Sequence, residues 1–242
     1  MNESLNINNF SIIIPLLNEE QNLKKLFKEI SLSLVNYQNF YEIIAVDDGS
    51  TDNTHLLLKE IKNQFDNEVK IIRNKSNKGQ SYSLRIGIEN ASFNTIVTID
   101  GDCQNNPKDI LKLLKIYFKE NKYSLVGGIR KHRKDGTVKK ISSKLANFVR
   151  RLYLNDNCGD TGCSLKVFEK NIFLMFPYFD GIHRFLPALF LGCGKKTFFV
   201  PVSHRPRVYG YSKYKTVKRL RQGIFDMIKV NKIIKEFNKN DF

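Results

Sequence analysis

Short apolar segments alternate with amphipathic segments through the first half of the chain, and this alternation is the strongest constraint on the fold. Residues 10–15, 41–46, 69–73 and 95–100 are rich in residue types that favour strands. Between them, apolar residues recur at intervals of three or four, as on one face of a helix. Strands that alternate with helices predict βαβ units, and hence an α/β fold with a mostly parallel sheet flanked by helices.

The second half of the chain is less regular. Strands are predicted over residues 122–128, 164–168 and 197–202, and a helix from about residue 141 to 154. From Val217 onward, apolar residues follow one side of a predicted helix whose other faces carry lysine and arginine. We therefore expect one domain over residues 1–215 and a basic amphipathic C-terminal helix over 216–242. That helix could pack on the domain or lie in a membrane interface, and its pattern leaves both open.

The net charge of +16 is concentrated in two blocks. Residues 122–151 carry ten lysines and arginines against one acidic residue, and residues 195–242 carry 13 against three. Such blocks indicate a polyanionic partner, namely nucleic acid, an anionic bilayer or a phosphate-bearing substrate. Nucleic acid ranks last, because no recognisable nucleic-acid motif is present and the aromatic residues do not interleave with the basic blocks.

Targeting and redox features are few. No run of about 18 apolar residues occurs, so we expect no transmembrane helix. The first ten residues have no basic flank before an apolar core, so no signal peptide is expected. The four cysteines have no regular spacing and predict no disulfide framework, which fits a reducing compartment.

Two acidic clusters follow predicted strands. Asp100 and Asp102, separated by Gly101, can approach one hard divalent cation together, and Gln104 offers a third oxygen. An acidic turn is the alternative, but the position at a strand end favours a Mg²⁺ or Mn²⁺ site that bridges a diphosphate. Asp47 and Asp48 follow the predicted strand at residues 41–46, where a carboxylate can accept hydrogen bonds from a base or ribose. The alternative is an ordinary turn in which Ser50, Thr51 or Asp52 caps the next helix, and the two are compatible. The glycine-rich motifs of dehydrogenases and P-loop enzymes are missing.

Four segments in this order and spacing resemble the nucleotide-sugar domain of family 2 inverting glycosyltransferases: SIIIPLLNEE, AVDDGSTDNT, NKGQSYSLRIGI and TIDGDCQNNP. Within that family, the second half is similar to the polyprenyl-phosphate branch, the dolichyl-phosphate mannose synthase type. The segments that carry this similarity are GGIR at 127–130, DTGC at 160–163 and HRPRVYGYSKY from residue 204. The resemblance covers about residues 10–215 and implies a GT-A type, Rossmann-like fold.

The resemblance also implies roles for individual residues. Nucleotide-sugar binding is implied for Pro15, Leu17, Asn18, Glu19, Asp47, Asp48, Lys78, Gly79, Asp100 and Gly101, and metal binding for Asp100, Asp102 and Gln104. Acceptor-phosphate binding is implied for Arg130, Arg133, Lys140, Arg205, Arg207, Ser212 and Lys213, and a catalytic role for Asp102, Asp160 and Arg130. The chain departs from relatives in two ways: Lys140 stands where they commonly have arginine, and many of them carry C-terminal transmembrane helices that this sequence lacks.

The implied reaction is metal-dependent, inverting transfer of a sugar from a UDP- or GDP-sugar to a polyprenyl phosphate, undecaprenyl or dolichyl, at the cytoplasmic membrane face. The protein would then be cytoplasmic and peripheral on an anionic membrane surface. A phosphate acceptor is already anionic, so Asp160 is optional as a base. The alternative acceptor is a hydroxyl of a glycan or protein, for which Asp160 would be an obligatory base. A basic nucleic-acid-binding protein remains the remote alternative.

Overall fold

The computed structural model describes residues 7–65, 68–120, 122–131, 148–207, 209 and 216–239, with side chains of the last helix described from residue 222. The strands are β1 (Phe10–Leu16), β2 (Tyr41–Asp47), β3 (Val69–Arg73), β4 (Thr95–Thr98), β5 (Leu125–Arg130), β6 (Lys166–Glu169) and β7 (Thr197–Val202). The helices are α1 (Glu20–Ser33), α2 (Thr54–Gln64), α3 (Gln80–Glu89), α4 (Lys108–Glu120), α5 (helical residues 148–154), α6 (Lys170–Met175), α7 (Leu186–Gly192) and α8 (Thr216–Lys239). Two short 3₁₀ segments, Val35–Phe40 and Ile182–Arg184, complete the described elements.

The strands form one sheet in the order β3-β2-β1-β4-β6-β5-β7. β1 is central and pairs in parallel with β2 and β4, with Phe10 opposite both Tyr41 and Thr95. The β2–β3 and β5–β7 pairs are also parallel, whereas β6 runs antiparallel to both of its neighbours. The predicted mostly parallel α/β sheet is confirmed, and the reversed β6 is the feature that the strand pattern did not reveal.

Helices cover both faces of the sheet, which explains why β2 is buried along its whole length. Successive residues of a strand point to opposite faces, so Ile12 and Ile14 join one core cluster while Ile13 joins the other. The first cluster includes residues of α1, α2 and α4, and the second includes residues of α3, α6, α7 and α8.

The C-terminal helix α8 packs one face on the domain. Val230 and Ile233 are buried in the second core cluster, and Phe237 meets the ring of Phe176 edge to face. The opposite face of α8 is exposed and contains both apolar and basic residues. No helix in the described part of the chain combines the length and apolar character needed to cross a membrane.

The strand that precedes the second acidic cluster is shorter than its sequence suggests. β4 ends at Thr98, and the amide of Ile99 still donates to the Ile13 carbonyl at 3.2 Å. The chain then turns sharply, with Cys103 in the left-handed region at φ 58°. Asp100 and Asp102 therefore lie on a turn at the carboxyl end of the strand, in a position to reach the neighbouring strand ends.

Candidate active site

A cleft of about 250 Å³ opens at the carboxyl ends of β1, β2 and β4. Ligands bind at this edge in open α/β sheets because the strand ends and helix starts converge there. Nine of the residues singled out in the sequence line the cleft: Pro15, Leu17, Glu19, Asp48, Gly79, Asp100, Gly101, Asp102 and Arg207. The fold thus brings both acidic clusters and one late arginine to a common space.

The neighbouring carboxylates of Asp47 and Asp48 have different environments. Asp48 lines the cleft and accepts hydrogen bonds from the amides of Lys78 and Gly79, at 2.9 and 2.8 Å. Asp47 is fully buried, accepts from the Ser50 amide at 2.8 Å and lies 3.3 Å from the guanidinium of Arg73. Side chains alternate along a strand, so one carboxylate faces the cleft while the other supports the turn.

The start of α3 forms one wall of the cleft. Gly79 has φ 94°, a conformation that glycine adopts without strain, and it directly precedes the helix. Gln80, the first helical residue, donates its side-chain amide to Asp100 at 2.8 Å. Lys78 contributes its backbone amide to Asp48 and leaves its side chain exposed. The sequence analysis missed Gln80, although its place after Gly79 at a helix start was a usable signal.

Asn18 connects two strand ends beside the cleft. It follows β1 in the left-handed region, at φ 50°. Its amide donates to the Ser50 hydroxyl at 2.9 Å, and its side-chain oxygen accepts from the Thr51 amide at 2.8 Å. Asn18 is exposed and lies beside the cleft lining, so its observed contacts fix the turn that carries Asp48.

Asp100 and Asp102 form a pair of carboxylates whose negative charges repel each other. Burial and the charge of Asp102 raise the pKa of Asp100 to about 6. Asp102 accepts from the guanidinium of Arg207 at 2.5 Å and from the Gln104 amide at 3.1 Å. Between them, a side chain at Gly101 would place a Cβ only 2.3 Å from Leu16, so glycine permits the close approach to β1.

This pair fits a divalent cation in its chemistry. Mg²⁺ and Mn²⁺ accept carboxylate oxygens and are commonly held by one or two carboxylates together with substrate phosphates. A cation would also relieve the repulsion that raises the pKa of Asp100. Within the described residues, no group of three or more histidine, cysteine, aspartate or glutamate side chains could hold a metal. The fit is therefore to a cation shared with a ligand.

The side chains of Gln104 and Arg205 do not line the cleft. The Gln104 side-chain amide donates to the Arg205 carbonyl at 3.2 Å. The Arg205 guanidinium instead donates to both oxygens of Glu29 on α1, at 2.9 and 2.7 Å. Of the two late arginines, the structure brings only Arg207 to the acidic pair.

Arg130 and Asp160 form a bidentate ion pair. The Arg130 guanidinium donates to the two oxygens of Asp160 at 2.6 and 2.7 Å, and both side chains are largely buried. Burial opposes the charge on Arg130, but the hydrogen bonds to Asp160 outweigh it and raise the pKa of the guanidinium. Gly162 allows this geometry, since a Cβ there would lie 2.7 Å from the Arg130 guanidinium.

A second buried arginine organises the same loop. Arg150 on α5 donates to the Thr161 hydroxyl at 2.7 Å and to Asp156 at 2.9 Å, and also to the Cys158 carbonyl. It thereby ties the loop that carries Asp160 to the inner side of α5. Sequence reasoning missed Arg150, although an arginine within a largely apolar helical stretch is a signal of a buried polar contact.

Four predicted acceptor-phosphate residues, Arg133, Lys140, Ser212 and Lys213, lie outside the described residues. Their predicted roles remain sequence-based.

The family model described as Glycosyl transferase family 2 matches residues 11–174. A dodecaprenyl-phosphate galacturonate synthase of Rhizobium johnstonii is 33% identical over 223 residues, which are 91% of this chain and 65% of that protein. An undecaprenyl-phosphate 4-deoxy-4-formamido-L-arabinose transferase of Yersinia enterocolitica is 32% identical, over 94% of this chain and 69% of that protein. The chain thus spans about two thirds of the length of these curated relatives.

Solved structures share the fold at low sequence identity. Glucosyl-3-phosphoglycerate synthase from Mycobacterium tuberculosis, in complex with phosphoglyceric acid, superposes with a TM-score of 0.69 at 16% identity, covering 92% of this chain and 80% of that chain. The same enzyme in complex with Mn²⁺, uridine diphosphate and glucosyl-3-phosphoglycerate gives 0.67 at 15% identity, covering 92% of this chain and 78% of that chain. At this identity the likeness establishes the fold.

Proposed function

We propose a function for this chain, which belongs to glycosyl transferase family 2: it transfers a sugar from a nucleoside diphosphate sugar to a polyprenyl phosphate, with inversion and with Mg²⁺ or Mn²⁺. Two relatives are named for dodecaprenyl-phosphate and undecaprenyl-phosphate products or acceptors. The observation that carries the proposal is the cleft in which Asp100, Asp102 and Arg207 meet at the strand ends.

Charge neutralisation explains why these residues are needed. A nucleoside diphosphate is a poor leaving group until cations balance its developing charge. Asp100 and Asp102 would hold the metal, which supplies Lewis-acid stabilisation of that diphosphate. The guanidinium of Arg207 lies 2.5 Å from Asp102. It is therefore close enough to the two carboxylates to bind an oxygen of the same diphosphate. Asp48 and Gln80 orient the opposite wall, which supports the nucleotide side of the cleft.

The proposed reaction is a direct displacement at the anomeric carbon. An oxygen of the acceptor phosphate attacks the anomeric carbon as the bond from that carbon to the donor diphosphate breaks. The nucleoside diphosphate leaves with the bonding electrons, and direct displacement inverts the anomeric centre. The acceptor phosphate is already anionic, so positioning and charge stabilisation account for the rate without a general base.

The state of Asp160 favours a phosphate acceptor over a hydroxyl. Both of its oxygens accept hydrogen bonds from Arg130, so neither is presented as an uncommitted base. The pair does place a guanidinium beside the loop at 156–161, where it can bind an incoming phosphate. Transfer to a glycan or protein hydroxyl is therefore the less supported alternative.

The test is transfer of radiolabelled sugar from a panel of UDP- and GDP-sugars into an organic-extractable lipid in the presence of polyprenyl phosphate. We expect label in the lipid phase, its loss with EDTA and its recovery with Mg²⁺ or Mn²⁺. Asp102→Asn should lower transfer by about 100-fold or more, because the metal that would neutralise the leaving diphosphate loses one of its two carboxylate ligands.

Glu68→Gln provides the control. This exposed carboxylate lies at the amino end of β3, whereas the cleft lies at the carboxyl ends of the parallel strands. Failure to transfer from any donor would refute the proposed activity. Transfer that persists in EDTA would refute the metal requirement, and label found only in a glycan or protein product would favour the hydroxyl acceptor.

A further inference from the structure

A lysine is buried inside the sheet, beside the strand that leads to Asp100. Lys166 is 4% exposed and lies on β6, opposite Thr98 of β4 and Gly127 of β5. Its ammonium donates to the carbonyl of Cys163. Lysine is almost never buried to this extent unless its charge is balanced, so this position calls for a negative charge nearby.

A small enclosed cavity lies between Lys166 and the cleft. Pro15, Gln80 and Asp100 line both the cavity and the cleft, so they form the partition between the two spaces. The volume of the cavity is about 20 Å³, which is room for about one water molecule. Bulk solvent therefore screens little of the interaction between the charges of Lys166 and Asp100, which both line it.

The negative charge that balances Lys166 is the carboxylate of Asp100. Burial and the charge of Asp102 raise the pKa of Asp100, whereas a hydrogen bond from Ser164 and the charges of Lys166 and Arg130 oppose that rise. Opposite charges attract strongly in a space that holds little water. Lys166 therefore stabilises the ionised form of Asp100 from inside the sheet.

The second carboxylate of the pair has a cation of its own. The guanidinium of Arg207, which lines the cleft, donates to Asp102 at 2.5 Å. The two negative charges of the acidic pair are thus matched by two positive charges of the chain itself. The two cations differ in their surroundings, because Arg207 is partly exposed at the cleft whereas Lys166 is enclosed in the sheet. Only Arg207 is placed to move towards a phosphate.

We propose that Lys166 is a permanent counter-ion of the metal-binding carboxylates, which weakens the binding of a divalent cation alone and so makes that binding depend on the nucleoside diphosphate. A cation that approaches Asp100 is repelled by the ammonium behind it. The diphosphate supplies the negative charge that outweighs this repulsion, and its oxygens share in holding the cation. The inference rests on the proposed function for the roles of Asp100 and Asp102, but cation binding is measured without catalysis.

The test is titration of the purified protein with Mn²⁺, followed by the electron paramagnetic resonance signal of the free ion, with and without saturating UDP or GDP. Lys166→Gln removes the charge and keeps a donor for the Cys163 carbonyl. We expect this variant to bind Mn²⁺ alone about tenfold more tightly than wild type, because the repelling charge is gone. The gain in Mn²⁺ affinity on adding nucleotide should be smaller by the same factor. Titrations at pH 8 and pH 9 limit competition by protons, since the pKa of Asp100 is about 6.

Lys170→Gln is the matched control. Lys170 on α6 also donates to backbone carbonyls, those of Glu89 and Ala91 at 3.2 and 2.6 Å, but it lines neither the cavity nor the cleft. Damage to the fold weakens Mn²⁺ binding or leaves it unchanged, so tighter binding identifies an effect of charge. Lys166→Met, which fills similar space without a charge, repeats the test if the glutamine variant does not fold. Equal or weaker Mn²⁺ binding by the Lys166 variants, or equal tightening in Lys170→Gln, would overturn the proposal.

Sugar transfer by wild type separates this inference from the proposed function. Tighter Mn²⁺ binding by Lys166→Gln, without transfer by wild type from any UDP- or GDP-sugar, would refute the proposed function and leave the role of Lys166 standing. Transfer by wild type, together with equal Mn²⁺ affinity in the two proteins, would refute the role of Lys166 alone. If neither protein bound Mn²⁺ with or without nucleotide, the acidic pair would not be a metal site and both would fail.

Discussion

Arg130 and Asp160 occupy separate motifs in the sequence but act as one unit in the structure. Three hydrogen bonds join them, because the Arg130 amide also donates to Asp160 at 3.2 Å. Asp160 thus fixes the orientation of the guanidinium at a largely buried position. An arginine held in this way is prepared to bind a phosphate without first losing side-chain freedom.

Asp160→Asn tests whether Asp160 positions Arg130 or acts as a base. We expect the free energy of unfolding to fall by about 3 kcal/mol, because a buried arginine loses its charged partner. For a phosphate acceptor, the acceptor KM should rise more than kcat falls, and the pH dependence of kcat should keep its shape. Urea denaturation and steady-state kinetics measure these quantities. A loss of kcat by several orders of magnitude with an unchanged acceptor KM would identify Asp160 as the base.

Gly49 shows how a single missing side chain shapes the turn beside Asp48. Its φ is 74°, and a Cβ there would lie 2.7 Å from the backbone carbon of Ser76. Gly194 has nearly the same φ, 73°, with open space around it. We expect Gly49→Ala to destabilise the protein by about 3 kcal/mol and Gly194→Ala by only about 1 kcal/mol, since only the first adds a backbone clash to the strain. Urea denaturation compares the two, and equal losses would contradict the clash.

At the scale of elements, a buried carboxylate connects three strands to a loop. Glu42 on β2 accepts hydrogen bonds from the Ser11 hydroxyl at 2.6 Å and the Ser92 amide at 2.6 Å, and pairs with Lys70 at 2.8 Å. Burial alone would raise the pKa of Glu42, but the hydrogen bonds from Lys70, Ser11 and Ser92 together lower it. A charged group is thus accommodated inside the sheet because every contact favours its ionised form.

This lowered pKa predicts a specific dependence of stability on acid. The unfolded glutamate has a pKa near 4.5, and the folded one lies below it, so the unfolded state binds the proton more readily as the pH falls. Glu42 therefore contributes its full stabilisation above pH 4.5 and loses it as the pH falls through the folded value. At neutral pH, we expect the free energy of unfolding of wild type to exceed that of Glu42→Gln by about 1–2 kcal/mol. This difference should shrink below pH 4.5.

Urea denaturation between pH 3 and 7 measures this difference, and Glu68→Gln is the control. Glu68 also pairs with Lys70, but at 3.7 Å and with an exposed side chain, so its replacement should change stability little at any pH. A difference between wild type and Glu42→Gln that stays constant down to pH 3 would contradict the assignment.

The sequence predicted the bounds of individual strands better than it predicted their direction and pairing in the sheet. β3 and β7 have the predicted bounds, because their apolar and β-branched runs end at polar or turn residues. The direction of β6 was not predictable, since antiparallel pairing with β4 and β5 depends on contacts between segments far apart in the chain. The same limit applies to the site: strand ends located Asp48, Asp100 and Asp102, whereas only the folded chain distinguishes Arg207 in the cleft from Arg205 bound to Glu29.

At the scale of the whole molecule, the cleft draws on segments from both halves. Its walls come from the ends of β1, β2 and β4, the start of α3 and Arg207 beyond β7. α8 is linked to the same region, because Asp226 pairs with Arg184 at 2.9 Å and the adjacent His183 meets the Ser81 hydroxyl of α3 at 2.7 Å. A ligand in the cleft therefore contacts parts of the chain that must all be folded at once.

Nucleotide binding should consequently stabilise the entire protein rather than one segment. A ligand that binds only the native state at about 100 times its Kd adds about 2.7 kcal/mol to the free energy of unfolding. We expect UDP or GDP with Mn²⁺ to raise Tm in a single cooperative transition, and EDTA to reverse most of that rise. In Asp102→Asn the metal-dependent part should vanish, whereas Glu68→Gln should behave as wild type because Glu68 is exposed at the far end of β3. Thermal melts at several nucleotide concentrations measure the effect. A rise in Tm that is as large in Asp102→Asn as in wild type would show that the nucleotide binds without the acidic pair, and would remove the physical basis for placing the diphosphate there.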